Sequence, residues 1–189
     1  MCRKEGRAGQ ETVRIRQAVE GDQEAIAAIN RRAWSGGITT HELIEQRHGP
    51  IDGLSWIEHI VDAVAAHMRQ PDVTTFVAEV EGRIVGYAAA QVMPPASRGE
   101  TPAPDIGIVS YNAVDPDYQG QGIGTALIQR VLSYLQEQGA RVLAVWTLEA
   151  GEPARHIYEG LGFEELTRFV YYTRECQDEN LDYRICQGG

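Results

Sequence analysis

A chain of 189 residues, 43% hydrophobic and 23% charged, has the length and make-up of one globular domain with a substantial core. Its net charge of −10 argues against a nucleic-acid surface, and no apolar run is long enough to cross a bilayer, so neither nucleic acid nor membrane is an expected partner. Cys2, Cys176 and Cys186 make no disulfide framework, His41, His48, His59, His67 and His156 have no compact metal spacing, and the polar start Met1–Gly6 lacks a signal-peptide core, so no metal and a cytoplasmic location are expected.

Residues 1–11 read as a flexible tail. Thr12–Ala18 alternates like a strand, and Asp22 is placed to cap a helix over Gln23–Trp34, which Gly36-Gly37 ends. His41–Glu45 suits a short helix that Gly49-Pro50 breaks. Ser55-x-x-Glu58 has the form of a capping box opening a helix to about Arg69, with Ile57, Ile60, Val61, Val64 and Met68 at helical spacing. Glu81-Gly82 between Thr74–Val80 and Arg83–Val92 predicts a hairpin, and a Pro-rich loop runs from Pro94 to Pro104. Ile106–Val114 is a fourth strand, a glycine-rich turn leads into a helix over Thr125–Gln138, and Gly139 stops it. Arg141–Leu148 is a fifth strand, a helix runs from Pro153 to Gly162, and Glu165–Thr173 is a further strand. The tail 175–189 carries Leu181, Tyr183 and Ile185 and either adds a strand or docks on a partner. The order implies one α/β domain over residues 12–174.

The glycine-rich turn reads Gln119-Gly120-Gln121-Gly122-Ile123-Gly124 and runs into a helix. The first amides of a helix lack internal acceptors and attract anions, and glycines let a polyanion approach the main chain. A Walker loop needs a lysine, and Lys4 in the N-terminal tail is the only one in the chain; a dinucleotide fingerprint needs glycine at 125, where Thr stands. The residues alone leave open a tight strand-to-helix connection that binds nothing.

Gln119-x-x-Gly122-x-Gly124 resembles the pyrophosphate loop of the GCN5-related N-acetyltransferases, the GNAT superfamily. Two further stretches are similar to that family: Ala154-x-x-x-Tyr158-x-x-x-Gly162-Phe163 resembles its closing helix, and Val13-Arg14-Ile15-Arg16 followed by Asp22 its opening. The resemblance implies the acyl-CoA N-acyltransferase fold, a central mixed, mostly antiparallel sheet flanked by helices, with the fourth and fifth strands splayed. It implies transfer of the acetyl group of acetyl-CoA to a primary amine, with a small-molecule amine as the partner expected and a homodimer as a common assembly.

By the same resemblance, the N–H groups of Gln119, Gly120, Gln121, Gly122, Ile123, Gly124 and Thr125 cradle the pyrophosphate. Asn112, Ala113 and Val114 exchange strand-like hydrogen bonds with the pantetheine, and a backbone N–H there faces the thioester carbonyl. Tyr158 is the matching general acid for the leaving thiolate. The base is not legible; Glu149, Asp105, Tyr111 and a water relay are candidates. Gly151 departs from the Asn common at its position. Acceptor recognition falls to Trp34–Trp56 and Met93–Pro104, where Trp34, Trp56, His41, Glu42 and Glu45 either line an amine pocket or serve as core anchors and a solvated face. A non-catalytic acyl-CoA-binding sensor on the same fold is the alternative function.

Overall fold

In a computed structural model the described residues are 12–34, 39–50, 53–93 and 106–174. The expected tails 1–11 and 175–189, the Gly36-Gly37 helix stop, the loop from Pro94 to Pro104 and Asp105 lie outside them. Five strands form one sheet in the order β1 (Arg14–Gln17), β2 (Val73–Val80), β3 (Arg83–Met93), β4 (Ile106–Val114) and β5 (Val142–Ala144). The first three pairings are antiparallel and β4 with β5 is parallel, the mixed arrangement the resemblance implies. The hairpin between β2 and β3 turns on Glu81 and Gly82, both with positive φ (50° and 79°), as a two-residue primed turn demands.

Helices cover both faces, which is why β3 is buried without a break from Val85 to Ala90. On one face α4 (Ile123–Glu137) lays Ile123, Leu127, Ile128, Val131 and Leu135 against Phe76, Ala78, Ala88 and Val109, and α5 (Glu152–Gly160) joins through Tyr158. On the other, α1 (Gln23–Ala33) and α3 (Trp56–Met68) set Ile26, Ile29, Ile60 and Val64 on Val77, Tyr87 and Ala113. The short α2 (Thr40–His48) contributes no fully buried side chain. Helix α4 packs so close to β4 that a Cβ on Gly107 would lie 2.9 Å from Leu135 Cβ. Gly139 (φ 87°) and Gly162 (φ 86°) follow α4 and α5 as expected helix stops.

Four expectations need correction. The fifth strand is not 141–148 but Val142–Ala144. Its pairing with β4 ends at Ile108↔Ala144, and just beyond, the register of β4 against β3 slips so that Ser110 and Tyr111 both stand opposite Ala89. Such a bulge bends a strand, and the two strands part there. Residues 165–173 pair with no strand among the described residues. Arg168 is held by Glu149 and Glu165, His48 Nε2 lies 2.9 Å from Thr173 Oγ1, and Leu166 is 95% exposed. The capping box does not form, because Glu58 takes a two-pronged bond from Arg31 at 2.8 Å each, while Glu45 Oε2 accepts the Trp56 N–H at the start of α3. Asp22 makes no cap bond to α1; its carboxylate accepts from the Val19 N–H (2.8 Å) and from Arg16 (2.6 and 3.0 Å).

Candidate active site

The end of β4 is tied down before the glycine-rich turn begins. Asp115, only 2% exposed, accepts from the Asp117 N–H through one oxygen (3.1 Å) and from Arg32 (3.0 Å) and Arg83 (3.4 Å) through the other. Arg32 also donates to Asp117 (2.8 Å), so one guanidinium from the last turn of α1 holds both aspartates. The Gln119 side chain donates to the Val114 carbonyl at 3.0 Å, folding the turn back over the strand. The Gln119 N–H is engaged with Pro116, at a long 3.4 Å.

From Gly120 to Thr125 the situation changes. Gly120 and Gly122 have φ of 74° and 82°, the left-handed region where a side chain is strained. Gly122 precedes α4 with no side-chain cap, and the first bond into the helix is Ala126 N–H to Gly122 O at 3.0 Å. Among the described residues no backbone or side-chain acceptor meets an N–H between Gly120 and Thr125. The first turn of α4 contains no acidic residue that would occupy the positive end of its dipole. An array of free amides at a helix start, with the macrodipole behind it, has the electrostatics that suit a polyanion.

This turn sits at the mouth of the opening between β4 and β5. Beyond Ile108, β4 continues to Val114 with no β5 partner, so the edge that carries Asn112, Ala113 and Val114 has no neighbouring strand, and of its main-chain groups the Val114 carbonyl is taken by the Gln119 side chain. Across the opening stands Tyr158, 7% exposed, whose hydroxyl accepts a 3.3 Å bond from Asn112 Nδ2 and whose ring meets Phe163 edge-on. Burial pushes the phenol up, with the Asn112 bond opposing. It therefore holds its proton at neutral pH, as a donor to a thiolate must. Gly151 also has a local explanation. A Cβ there would fall 2.5 Å from Thr147 Oγ1 and 3.1 Å from the Leu148 carbonyl, so the tight turn into α5 leaves no room for the usual side chain.

The base candidates fare differently. Glu149 is 74% exposed at its side chain and held at 2.5 Å by Arg168. Tyr111 packs between Trp34, stacked at 6.3 Å, and His67, edge-on at 5.1 Å, and burial raises its hydroxyl well away from a base useful at neutral pH. Trp34 and Trp56 both pack on the α1/α3 cluster, Glu45 is spent on the start of α3, and Glu42 accepts from Gln46. His41 is kept in its neutral form by burial and by nearby His59. Two residues were missed from sequence: Ser110 and His67, whose Oγ and Nε2 lie 2.8 Å apart. The polar Ser-Tyr pair interrupting an apolar strand was the one available signal. Among the described residues no group of three His, Cys, Asp or Glu side chains is placed to hold a metal.

The model of the acetyltransferase (GNAT) family matches residues 30–163. The chain belongs to the GNAT family. A mycothiol acetyltransferase of Saccharomonospora viridis is 32% identical over 170 residues, covering 87% of this chain and 50% of that protein. The chain thus spans about half the length of the curated relatives of this kind that it matches. Among solved structures, an aminoglycoside N-acetyltransferase, AAC(6')-Iy in complex with CoA, superposes with a TM-score of 0.64 at 18% identity, covering 89% of this chain and 98% of that one. A transcriptional regulator from Bacillus halodurans gives 0.63 at 21%, covering 86% and 100%. At these identities the structures speak for a shared GNAT fold alone.

Proposed function

We propose that this GNAT domain moves the acetyl group of acetyl-CoA directly to a primary amine of a small molecule. The observation that carries the reading is the row of unpartnered amides from Gly120 to Thr125, opening onto the unpaired edge of β4. The diphosphate of the cofactor is assigned to the amides from Gln119 to Thr125, the pantetheine to Asn112, Ala113 and Val114, and a backbone N–H of β4 to the thioester oxygen. Such a donor is worth about 3 kcal/mol where comparable ones have been removed. Tyr158 protonates the departing thiolate. No acyl-enzyme step is invoked, since none of the described site residues is a cysteine.

A small-molecule acceptor is favoured because the relatives reported above carry the names of mycothiol and of aminoglycosides, both small molecules. The cytoplasm suits the chemistry, since acetyl-CoA is available there and thiols stay reduced. A homodimer belongs to the same reading. The open edge of β5 exposes Val142, Trp146 just beyond the strand is exposed as well, and the run after α5 exposes Leu166, Phe169, Val170, Tyr171 and Tyr172, an apolar surface of the kind that protein partners cover. Sedimentation of the full chain at micromolar concentration as a monomer would remove the dimer.

The decisive experiment is calorimetric titration with coenzyme A followed by a thiol-release screen of primary amines. Binding with release of free thiol in the presence of one amine class supports the enzyme. Binding with no release across a broad panel supports the acyl-CoA sensor, and no binding refutes both.

A further inference from the structure

We propose that His67 is the base that takes the proton from the substrate's ammonium group, held in the required tautomer by Ser110. This rests on the acetyl-transfer reading above. The bulge in β4 decides the geometry. Tyr111 and Ala113 pack on the α1/α3 cluster, whereas Asn112 and Val114 face α5 and α4. With strict alternation Ser110 would share a face with Asn112. Because Ser110 and Tyr111 together oppose Ala89, both meet the same ring of α3: Ser110 Oγ lies 2.8 Å from His67 Nε2, and the Tyr111 ring lies edge-on to it. The imidazole therefore stands on the α1/α3 face of the sheet at the point where β4 leaves β5, with Tyr158 on the α4/α5 face.

The role needs one tautomer, with the proton on Nε2 and Nδ1 bare. Ser110 has a single hydroxyl proton and two acceptors in reach, the Ala89 carbonyl at 3.3 Å and His67 Nε2 at 2.8 Å, and that proton is assigned to the carbonyl. Its oxygen is then an acceptor, so Nε2 of His67 carries the proton and Nδ1 presents a bare lone pair. Half-burial lowers the basicity of the ring, opposed by the charge of Asp72 just beyond α3. Asp72 itself accepts from Gln91 at 2.9 Å, and Tyr111, also raised by burial, is neutral at pH 7. His67 is thus largely neutral near pH 7 and able to accept a proton.

The proton balance closes without another reagent. Nδ1 takes one proton from R–NH3+, and the freed amine attacks the thioester carbonyl. The new C–N bond forms and the C–S bond breaks. The second amine proton is lost as the amide forms, Tyr158 donates its proton to the thiolate and is reprotonated by that equivalent, and imidazolium returns its proton to water.

Two measurements on the full chain test the assignment. Long-range 1H–15N spectra of the imidazole at pH 7.5 should show His67 neutral with hydrogen on Nε2; a charged ring or hydrogen on Nδ1 overturns the proposal, and no substrate is needed. For kinetics, acetyl-CoA is paired with a strongly basic alkylamine and a weakly basic hydrazide drawn from the acceptors found in the screen. His67→Gln should lower kcat/KM for the alkylamine about 100-fold or more, the lower range for a lost general base, and affect the already neutral hydrazide far less. KM for acetyl-CoA should not move, and imidazole added to His67→Ala should restore alkylamine turnover. Equal losses on both acceptors, or none, overturn the base. Wild-type protein that binds no acetyl-CoA or acetylates no amine refutes the enzyme reading instead, and the base with it. A variant that fails to fold leaves the spectra of the wild type to decide.

Discussion

Replacing Gly122 by Ala isolates the contribution of the left-handed turn. A Cβ built at this position meets nothing within 4 Å, so the substitution carries no steric clash with the protein. What remains is backbone strain at φ 82°, about 1–2 kcal/mol for an L-residue in this region. The cost has two places to appear. If the turn holds its shape, the melting temperature of the free protein falls by about 2–4 °C per kcal/mol for a chain of this size. If the turn relaxes, the free protein melts normally and coenzyme A binding must restore the strained form, which weakens Kd roughly 5- to 30-fold. Either way the complex with coenzyme A loses the full amount. Gly124 is the comparator. Its φ is not in the left-handed region, and a Cβ there makes ordinary 3.6 Å contacts with Ile157 and Val114, so Gly124→Ala should raise the melting temperature through helix propensity and leave Kd within a few-fold. Calorimetric Kd and thermal melting with and without coenzyme A, on both variants and the wild type, separate these outcomes. Wild-type values for Gly122→Ala in both assays would show that the left-handed cap does not shape an anion site.

Tyr158→Phe should lower kcat by about 100-fold or more while KM for acetyl-CoA and the calorimetric Kd for coenzyme A stay put, because the ring still packs on Phe163 and only the hydroxyl is lost. Tyr87→Phe removes the 2.6 Å bond to Asn30 Oδ1 in a fully buried pocket where Asn30 Nδ2 already has no partner; chemical denaturation should read a loss of about 1–3 kcal/mol. Arg16 holds the Asp22 carboxyl below the usual carboxylate range. A depressed acid stabilises the fold above its unfolded pKa of about 3.9 and loses that contribution as pH falls through the lower folded value. Asp22→Asn should therefore cost stability at pH 7, and the gap to wild type should narrow below pH 4 in urea titrations.

Features governed by neighbours in sequence were readable from the residues. Glu81-Gly82 specifies a turn with two positive φ values, Gly139 and Gly162 terminate helices, and glycines at 120 and 122 with no capping side chain announce free amides. Features governed by distant partners were not. Ser55-x-x-Glu58 is a sound local signal, yet Arg31 is 27 positions from Glu58 and competes for the same carboxylate with two charge-assisted bonds. Asp22 is captured from its capping role by Arg16, only six positions away, because β1 and the turn after it bring the guanidinium onto the carboxylate. The premature end of β5 goes with a slip in β4 against β3, between the pairs Ala88↔Asn112 and Ala90↔Val109, and no period in 141–148 encodes it. The same slip brings Ser110 to His67, which is why the histidine looked like one of five unrelated ones.

Arg32 reaches from the end of α1 to both aspartates that open the glycine-rich turn, and Trp34, two residues further on, leans on Tyr111. That guanidinium is a strut joining the end of α1 to the rim assigned to the phosphate. Removing that one guanidinium would therefore loosen the end of the helix and the start of the turn together.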